Sequence, residues 1–374
     1  MHPGMQRLFR QLKELREAAN LSYDEVEQQL VLGPGWIRKF ESGGIEPSLG
    51  TLAALVHAYG SDLASFFSGF DLGHTNITID RHLTALEVGQ NLALVFPMGS
   101  FTAQVTLRGA SLDELNQVLL TLRNNLAVGH KREGIVACFL AAVERWPHAN
   151  PSDLWYFLVS HAYQDNYNHP ASESGRDWAQ SWKRVGGWAL ESVLLQHYNP
   201  HLEQHGMRLE MPTPDRKIRL LKEMGVIDIA GAQKADVLIV GLRSNKHQAF
   251  GVAHVKASFA ERRTDDVPLS QQLIAKGFAS PLVTMDCKAR PSALPHNSGE
   301  LGPVQINDHP VSAKRLDIER DRKFDACFAY NTNTLPTPSD QPASARIYVC
   351  DFMNADDAFS KYLLRKWRER QGLA

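Results

Sequence analysis

Apolar residues recur at helical spacing through the first seventy positions. Leu8, Leu12 and Leu15, followed by Ala18 and Ala19, predict an amphipathic helix over about residues 6–19. Ser22 followed by Glu25 is a capping box and opens a second helix that turns Val26 and Leu30 inward. Leu32-Gly33-Pro34-Gly35 reads as a turn, with Pro34 in the first turn of a third helix whose apolar face is Trp36, Ile37 and Phe40. Gly43-Gly44 ends that helix. Pro47-Ser48 leads into a fourth with Leu49, Leu52, Leu55 and Val56, and a short fifth follows near 62–67.

The period then changes. Residues 76–79, 91–96 and 102–107 read as strands, with Pro97–Ser100 as a turn. From Ser111 the pattern is helical again: Leu112, Leu115, Val118, Leu119 and Leu122, then Ile135, Val136, Phe139, Leu140 and Val143 up to Pro147. Asn150-Pro151-Ser152-Asp153 supplies a turn and a cap for a helix over 154–163. A long helix over about 174–198 carries Trp178, Trp182 and Trp188, which core packing explains better than base stacking at this spacing. Glu191 lies on it among Leu190, Val193 and Leu194. A carboxylate there is either on an exposed polar face or, if buried, needs a partner or a metal. ADVLIVGL (235–242) is a continuous apolar strand, and FGVAHVKAS (250–258) is the next one across a polar turn.

Composition narrows the class. The 374 residues suggest two or three domains, and 43% hydrophobic with 22% charged residues describes a chain with a real core. The net charge of −1 argues against a nucleic-acid partner until it is divided. Residues 1–70 carry 6 basic and 8 acidic side chains, residues 71–215 carry 10 and 15, and residues 216–374 carry 24 and 18. A basic C-terminal region stands behind an acidic middle. No apolar run approaches the ~20 residues of a membrane helix, and the N-terminus lacks a signal pattern, so a cytoplasmic protein is expected. Cys138, Cys287, Cys327 and Cys350 are dispersed, which fits reduced thiols and disfavours a zinc site. No Gly-x-x-x-x-Gly-Lys loop, dinucleotide fingerprint or His-Glu-x-x-His motif occurs, and no small-molecule cofactor is expected.

Asp236 and Lys256 fall on neighbouring strands of an expected hairpin. An acid and a lysine so placed can form a metal-dependent nuclease site: the carboxylate holds a divalent cation, and the lysine orients water or offsets charge on the phosphorane. Oxygen ligands suit Mg²⁺. Alone the pair is equally a surface salt bridge. Lys314, Arg315, Arg320, Arg322 and Lys323, and the basic residues of the last helix from Lys361 to Arg370, are either phosphate contacts or solvated faces.

Two resemblances add to this. Leu12–Arg16, Leu21-Ser22, Val26, Leu30, Ile37, Phe40-Glu41, Gly43, Pro47 and Leu52 resemble the Cro/repressor (XRE) helix-turn-helix family. That implies a third helix in the major groove with Trp36, Arg38 and Lys39 at the DNA. The net acidity of this segment leaves dimerisation or docking as the other reading. The run Lys256-Ala257-Ser258-Phe259-Ala260-Glu261-Arg262-Arg263 gives Lys-x-x-x-x-Glu-Arg. With 150–156, Pro281–Lys288 and Arg346–Leu363, it is similar to the BsaWI-type Type II restriction endonucleases that read CCGG-like cores. The resemblance spans about 112–370. It implies an α/β restriction-endonuclease-like mixed sheet flanked by helices (110–374), joined to an all-α helix-turn-helix domain (1–70) by a small β segment (71–109).

It further implies Asp236 and Lys256 as the catalytic pair, and Glu261 and Arg262, with Arg263, as readers of cytosine N4 and guanine O6/N7. His254 stands two before Lys256, where an acid is common. Related CCGG readers relocate that acid, and both candidates are expected to contribute, Glu191 as a metal-shell acid and Asp266 as the relocated one, so that Asp236, Glu191 and Asp266 would be the metal ligands, with Asp265 a substitute for Asp266. Asp286-Cys287-Lys288, with Asp266 twenty residues before it, is a competing site. The expected function is Mg²⁺-dependent cleavage of double-stranded DNA by a homodimer, with a helix-turn-helix that could also bind its own promoter. The alternative is a non-enzymatic XRE regulator with a large C-terminal ligand or partner domain.

Overall fold

In a computed structural model, the described residues are 3–42, 49–68, 78–80, 83–98, 101–164, 168–169, 178–226, 235–243, 246–257, 263–288, 297–302 and 311–372. The chain divides into two units, Met1–Thr75 and Asn76–Ala374.

The first unit contains α1 (Pro3–Ala18), α2 (Tyr23–Gln29), α3 (Trp36–Glu41), α4 (Leu49–Ala58) and α5 (Leu63–Ser68). The expected capping box forms: Ser22 accepts from the Glu25 amide while Glu25 accepts from Ser22. The third helix starts later than its proline suggested. Gly35, at φ +76°, is its N-cap, and Pro34 stays in the turn. Buried Glu27 supplies the cap instead, accepting the amides of Gly35 and Ile37, both at 2.9 Å. Phe9, Leu12, Val26, Ile37, Phe40, Leu55 and Val56 form the core. Arg16 is clamped on Glu41 through two hydrogen bonds.

The second unit opens with an antiparallel meander of β1 (Thr78–Asp80), β2 (Leu83–Val88), β3 (Asn91–Met98) and β4 (Phe101–Arg108). Pro97 is in β3 rather than in a turn, one register position from the hairpin end, opposite Thr102. Leu92, Leu94, Phe96 and Leu107 share one apolar cluster with Leu119 and Leu122 of α6 (Leu112–Ala127) and Phe139 of α7 (Lys131–Arg145). The β segment expected as a connector therefore packs as part of the larger unit. Asn150 caps α8 (Pro151–Phe157), which runs on into a wider turn over Leu158–Ala162.

The long helix is α9 (Trp178–Leu202). Ala189, Leu190, Val193 and Leu194 are buried, but Trp188 is 47% exposed, so it is not the core residue expected. The side chains of Trp178 and Trp182 lie outside the described residues. Beyond α9, β5 (Met207–Glu210), α10 (Pro214–Glu223), β6 (Val237–Arg243), β7 (Lys246–Lys256), α11 (Arg263–Ala275), β8 (Pro281–Thr284), α12 (Ala313–Glu319), β9 (Ala326–Ala329), β10 (Ile347–Val349) and α13 (Ala358–Gln371) complete the unit.

The main sheet has the order β10-β9-β8-β7-β6-β5. It is antiparallel from β5 to β7 and parallel from β7 to β10. β7 belongs to both halves and is buried over most of its length, as a central strand should be. Gly251 lets Ala279 approach: a Cβ there would stand 2.5 Å from the Ala279 carbonyl oxygen. The basic stretch before β9 is not a solvated face throughout. Arg315 is fully buried, bonded to Glu319 and to the carbonyls of Gly302 and Leu335. Among the described residues no helix is long and apolar enough to cross a membrane, and the four thiols are unpaired.

Candidate active site

The site forms where the hairpin meets the parallel half of the sheet. Asp236 immediately precedes β6, and Lys256 is the last residue of β7. Antiparallel pairing, with Val237 opposite Ala253, brings the two together. Asp236 Oδ2 accepts the Val255 amide at 2.8 Å and the Lys256 ammonium at 2.7 Å. Asp266 arrives from the first turn of α11, with its Oδ2 3.0 Å from Lys256 Nζ. Lys256 thus bridges two carboxylates. Burial alone would lower its pKa, but Asp236 and Asp266 outweigh that and hold it above its ordinary value.

His254, two residues earlier, is fully buried. Its Nε2 meets the Ser280 hydroxyl at 3.0 Å, and that hydroxyl is donated to Ser270 at 2.7 Å. Its Nδ1 lies 3.9 Å from Asp266 Oδ2. Burial, with some help from Lys256, pushes its pKa down to about 3, so the imidazole is neutral at physiological pH.

Glu191 comes from α9. Burial raises its pKa to about 7, and the charge of Asp236 adds to the rise, while Lys217, Lys256 and Arg132 act against it. The acid expected to stand alone on this helix therefore feels the charge of Asp236. Lys217 was not expected from the sequence. It lies on α10 and donates to the carbonyl of Ala235, the residue before Asp236. No local pattern marks it, since α10 carries few inward apolar residues beyond Leu220 and Leu221.

Glu261 and Arg262 lie outside the described residues. Arg263 opens α11, and its side chain and that of Asp265 are likewise outside them. Arg38 and Lys39 are exposed on α3, with the Arg38 guanidinium 5.4 Å from the Tyr23 ring centre. Trp36 is half-buried and stacked on Phe40, with centroids 5.1 Å apart.

The competing site looks different. Asp286 is fully buried at φ +45°. Its Oδ1 accepts the amides of Glu300 and Leu301, and its Oδ2 accepts the Thr334 hydroxyl at 2.6 Å. Burial raises its pKa to about 6. One oxygen is committed to the backbone after Gly299 and the other to Thr334, and Lys288 is exposed. Asp286 therefore reads as a structural anchor.

Among the described residues, no three His, Cys, Asp or Glu side chains gather into a group able to hold a metal by themselves. A donor set of one or two carboxylates is nevertheless what Mg²⁺ takes from protein, with phosphate oxygens and water completing its shell. Asp236 and Glu191 fit that share. They are all-oxygen, and the charge of Asp236 adds to the cost of ionising Glu191, a cost that a cation would relieve.

A lysine and a carboxylate at the ends of adjacent strands, with a second carboxylate from the following helix, in a mixed sheet covered by helices, is an arrangement suited to a restriction-endonuclease-like nuclease. A helix-turn-helix domain model matches residues 7–65. The Type II restriction enzyme AgeI from Thalassovita gelatinovora is 40% identical over 243 residues, covering 62% of this chain and 83% of that enzyme. The AgeI–DNA crystal complex superposes with a TM-score of 0.63 at 35% identity, over 73% of this chain and 99% of that one. A BsaWI–DNA complex gives a TM-score of 0.32 at 19% identity, over 69% and 95%. The chain belongs to the Type II restriction endonucleases and is a site-specific deoxyribonuclease carrying an N-terminal helix-turn-helix. That displaces the reading of a non-enzymatic regulator.

Proposed function

We propose that the enzyme makes Mg²⁺-dependent double-strand breaks at a CCGG-like or CCNGG-like palindrome. The observation that carries this is Lys256 Nζ held between Asp236 and Asp266 at the end of β7. Asp236 and Glu191 would hold the cation. When bound, Mg²⁺ supplies Lewis acidity and neutralises phosphate charge. Asp266 keeps Lys256 charged and aimed, with neutral His254 packed behind it. The Lys256 ammonium orients the attacking water, which gives up a proton to solvent as its oxygen bonds to phosphorus, and offsets the negative charge on the phosphorane oxygens while the P–O bond breaks and the leaving oxygen takes up a proton from solvent.

Glu261 and Arg262, with Arg263, would read base edges beside the cut. A palindromic target asks for two-fold symmetry, hence a homodimer. Residues 110–374, with the β segment of 71–109 packed as part of the same unit, would form the catalytic domain, and residues 1–70 a DNA-binding domain. Arg38 and Lys39 are exposed on the recognition helix of that domain. We assign it DNA contact, either beside the cleavage site or at the enzyme's own promoter, in a cytoplasmic setting.

Incubation with Mg²⁺ and plasmids carrying CCGG and CCNGG should give discrete fragments, lost in Asp236→Ala and Lys256→Ala. Intact plasmids across such substrates would overturn the reading. A gel shift on the upstream region, weakened in Arg38→Ala, tests the promoter role.

A further inference from the structure

The active site holds a second lysine whose hydrogen-bonding capacity is mostly unused. Lys256 is engaged by two carboxylates, at 2.7 and 3.0 Å. The other cations nearby are also taken. Arg208 and Arg216 both close on Glu210, and Arg132 pairs with Glu133 at 3.1 Å. Lys217 makes one hydrogen bond, to the Ala235 carbonyl, and among the described residues it pairs with no carboxylate at salt-bridge distance. An ammonium has three donors, so two remain.

Its position is fixed from behind. Leu220 and Leu221 seat α10 in a cluster with Ala235 and Leu238 of the β6 segment and Val252 of β7. The hydrogen bond ties the lysine to the residue next to Asp236. The basic end of α13 is no substitute. Arg370 lies over Phe278, 4.2 Å from its ring centre. Phe278 adjoins Ala279, which bridges to Gly251, and Gly251 is five residues, about 17 Å of strand, before Lys256.

We propose that Lys217 is a phosphate-binding residue of this enzyme, gripping the DNA backbone beside the phosphodiester that is cut. The proposal rests on the endonuclease reading above. It adds a cation able to take an incoming phosphate without first releasing a carboxylate.

Binding of the full chain to a short CCGG duplex, without divalent cation so that nothing is cut, is measured across a salt series. Lys217→Gln should weaken binding several-fold and reduce the slope of log K against log[salt] by about 0.9, the signature of one lost phosphate contact. Lys217→Arg should keep the slope, and Lys222→Gln, on the exposed side of the same helix, should leave it unchanged. In the wild-type chain, amine acylation should label Lys217 more slowly when duplex is present, a readout that needs no variant to fold. Weakened binding with an unchanged slope, or equal labelling with and without duplex, would make Lys217 a strand anchor only and overturn the proposal. Failure of the wild-type enzyme to cut with Mg²⁺ would count against the endonuclease reading, and the slope comparison would stand apart from it.

Discussion

Glu191 ties metal binding to pH. Its carboxyl keeps its proton to about 7 because it is largely buried and feels the charge of Asp236. The sign follows from which state binds more protons. Between the ordinary glutamate range and about pH 7, the folded protein holds a proton that the unfolded chain has lost. The metal-free fold is therefore destabilised as pH rises through that window. A divalent cation reverses the preference by requiring the carboxylate, so binding releases the proton. With a pKa of about 7, apparent Mg²⁺ affinity should rise about tenfold between pH 6 and pH 8, or about 1.4 kcal/mol. His254, at about 3, does not titrate in this range.

Titration calorimetry at pH 6 in two buffers of different ionisation enthalpy should find about 0.9 proton released per ion, falling to about 0.1 at pH 8. Glu191→Gln should bind Mg²⁺ more weakly at both pH values, with neither the proton release nor the affinity gain. A wild-type affinity flat from pH 6 to pH 8, or a Glu191→Gln variant that keeps the proton release, would refute the assignment of Glu191 to the cation.

Three further outcomes are expected. Lys256→Met should slow single-turnover cleavage by about 10²–10³-fold, the cost of losing one positioned charge, while fluorescence anisotropy shows duplex still bound. Val31, 92% exposed at φ +55°, is a β-branched residue in the left-handed region. Val31→Gly should relieve about 1–2 kcal/mol of backbone strain, partly offset by glycine's entropy in the unfolded chain. Amide exchange across α2 and α3 should slow by about two- to fivefold, and faster exchange would contradict the strain. Gly251→Ala drives a methyl group into the Ala279 backbone and should cost about 1–3 kcal/mol; an unchanged melting temperature would show that the two segments can part without loss.

The sequence disclosed whatever has a local cause. Ser22 with Glu25 and Asn150 before Pro151 mark helix starts within four residues, and the structure uses both. The hairpin carrying Asp236 and Lys256 was visible because its strands are nearly unbroken apolar runs. Features set by distant partners were hidden. The nearness of Glu191 to Asp236 crosses 45 positions, and nothing in the local pattern separates a helix face turned to solvent from one turned to an acid. Arg315 looked like surface charge, yet Glu319 and two carbonyls hold its terminal nitrogens in the core. Trp188 looked like core and is largely open. Strand β5 and helix α10 are short and rich in charge, and so Lys217 escaped notice.

The double membership of β7 has a kinetic consequence. Its pairing with β6 begins where Arg243 meets Lys246, three positions apart in the chain, a contact of low order that costs little chain entropy. Its pairing with β8, and that of β8 with β9, must wait for longer crossovers; Pro281 meets Ala326. The nascent chain should therefore assemble Asp236 beside Lys256 well before the parallel half of the sheet condenses. Helix α11 bridges β7 and β8, so Asp266 should join that pair only when the late half docks. Competence to cut would then be among the last properties acquired during folding, a delay suited to an enzyme whose target is DNA.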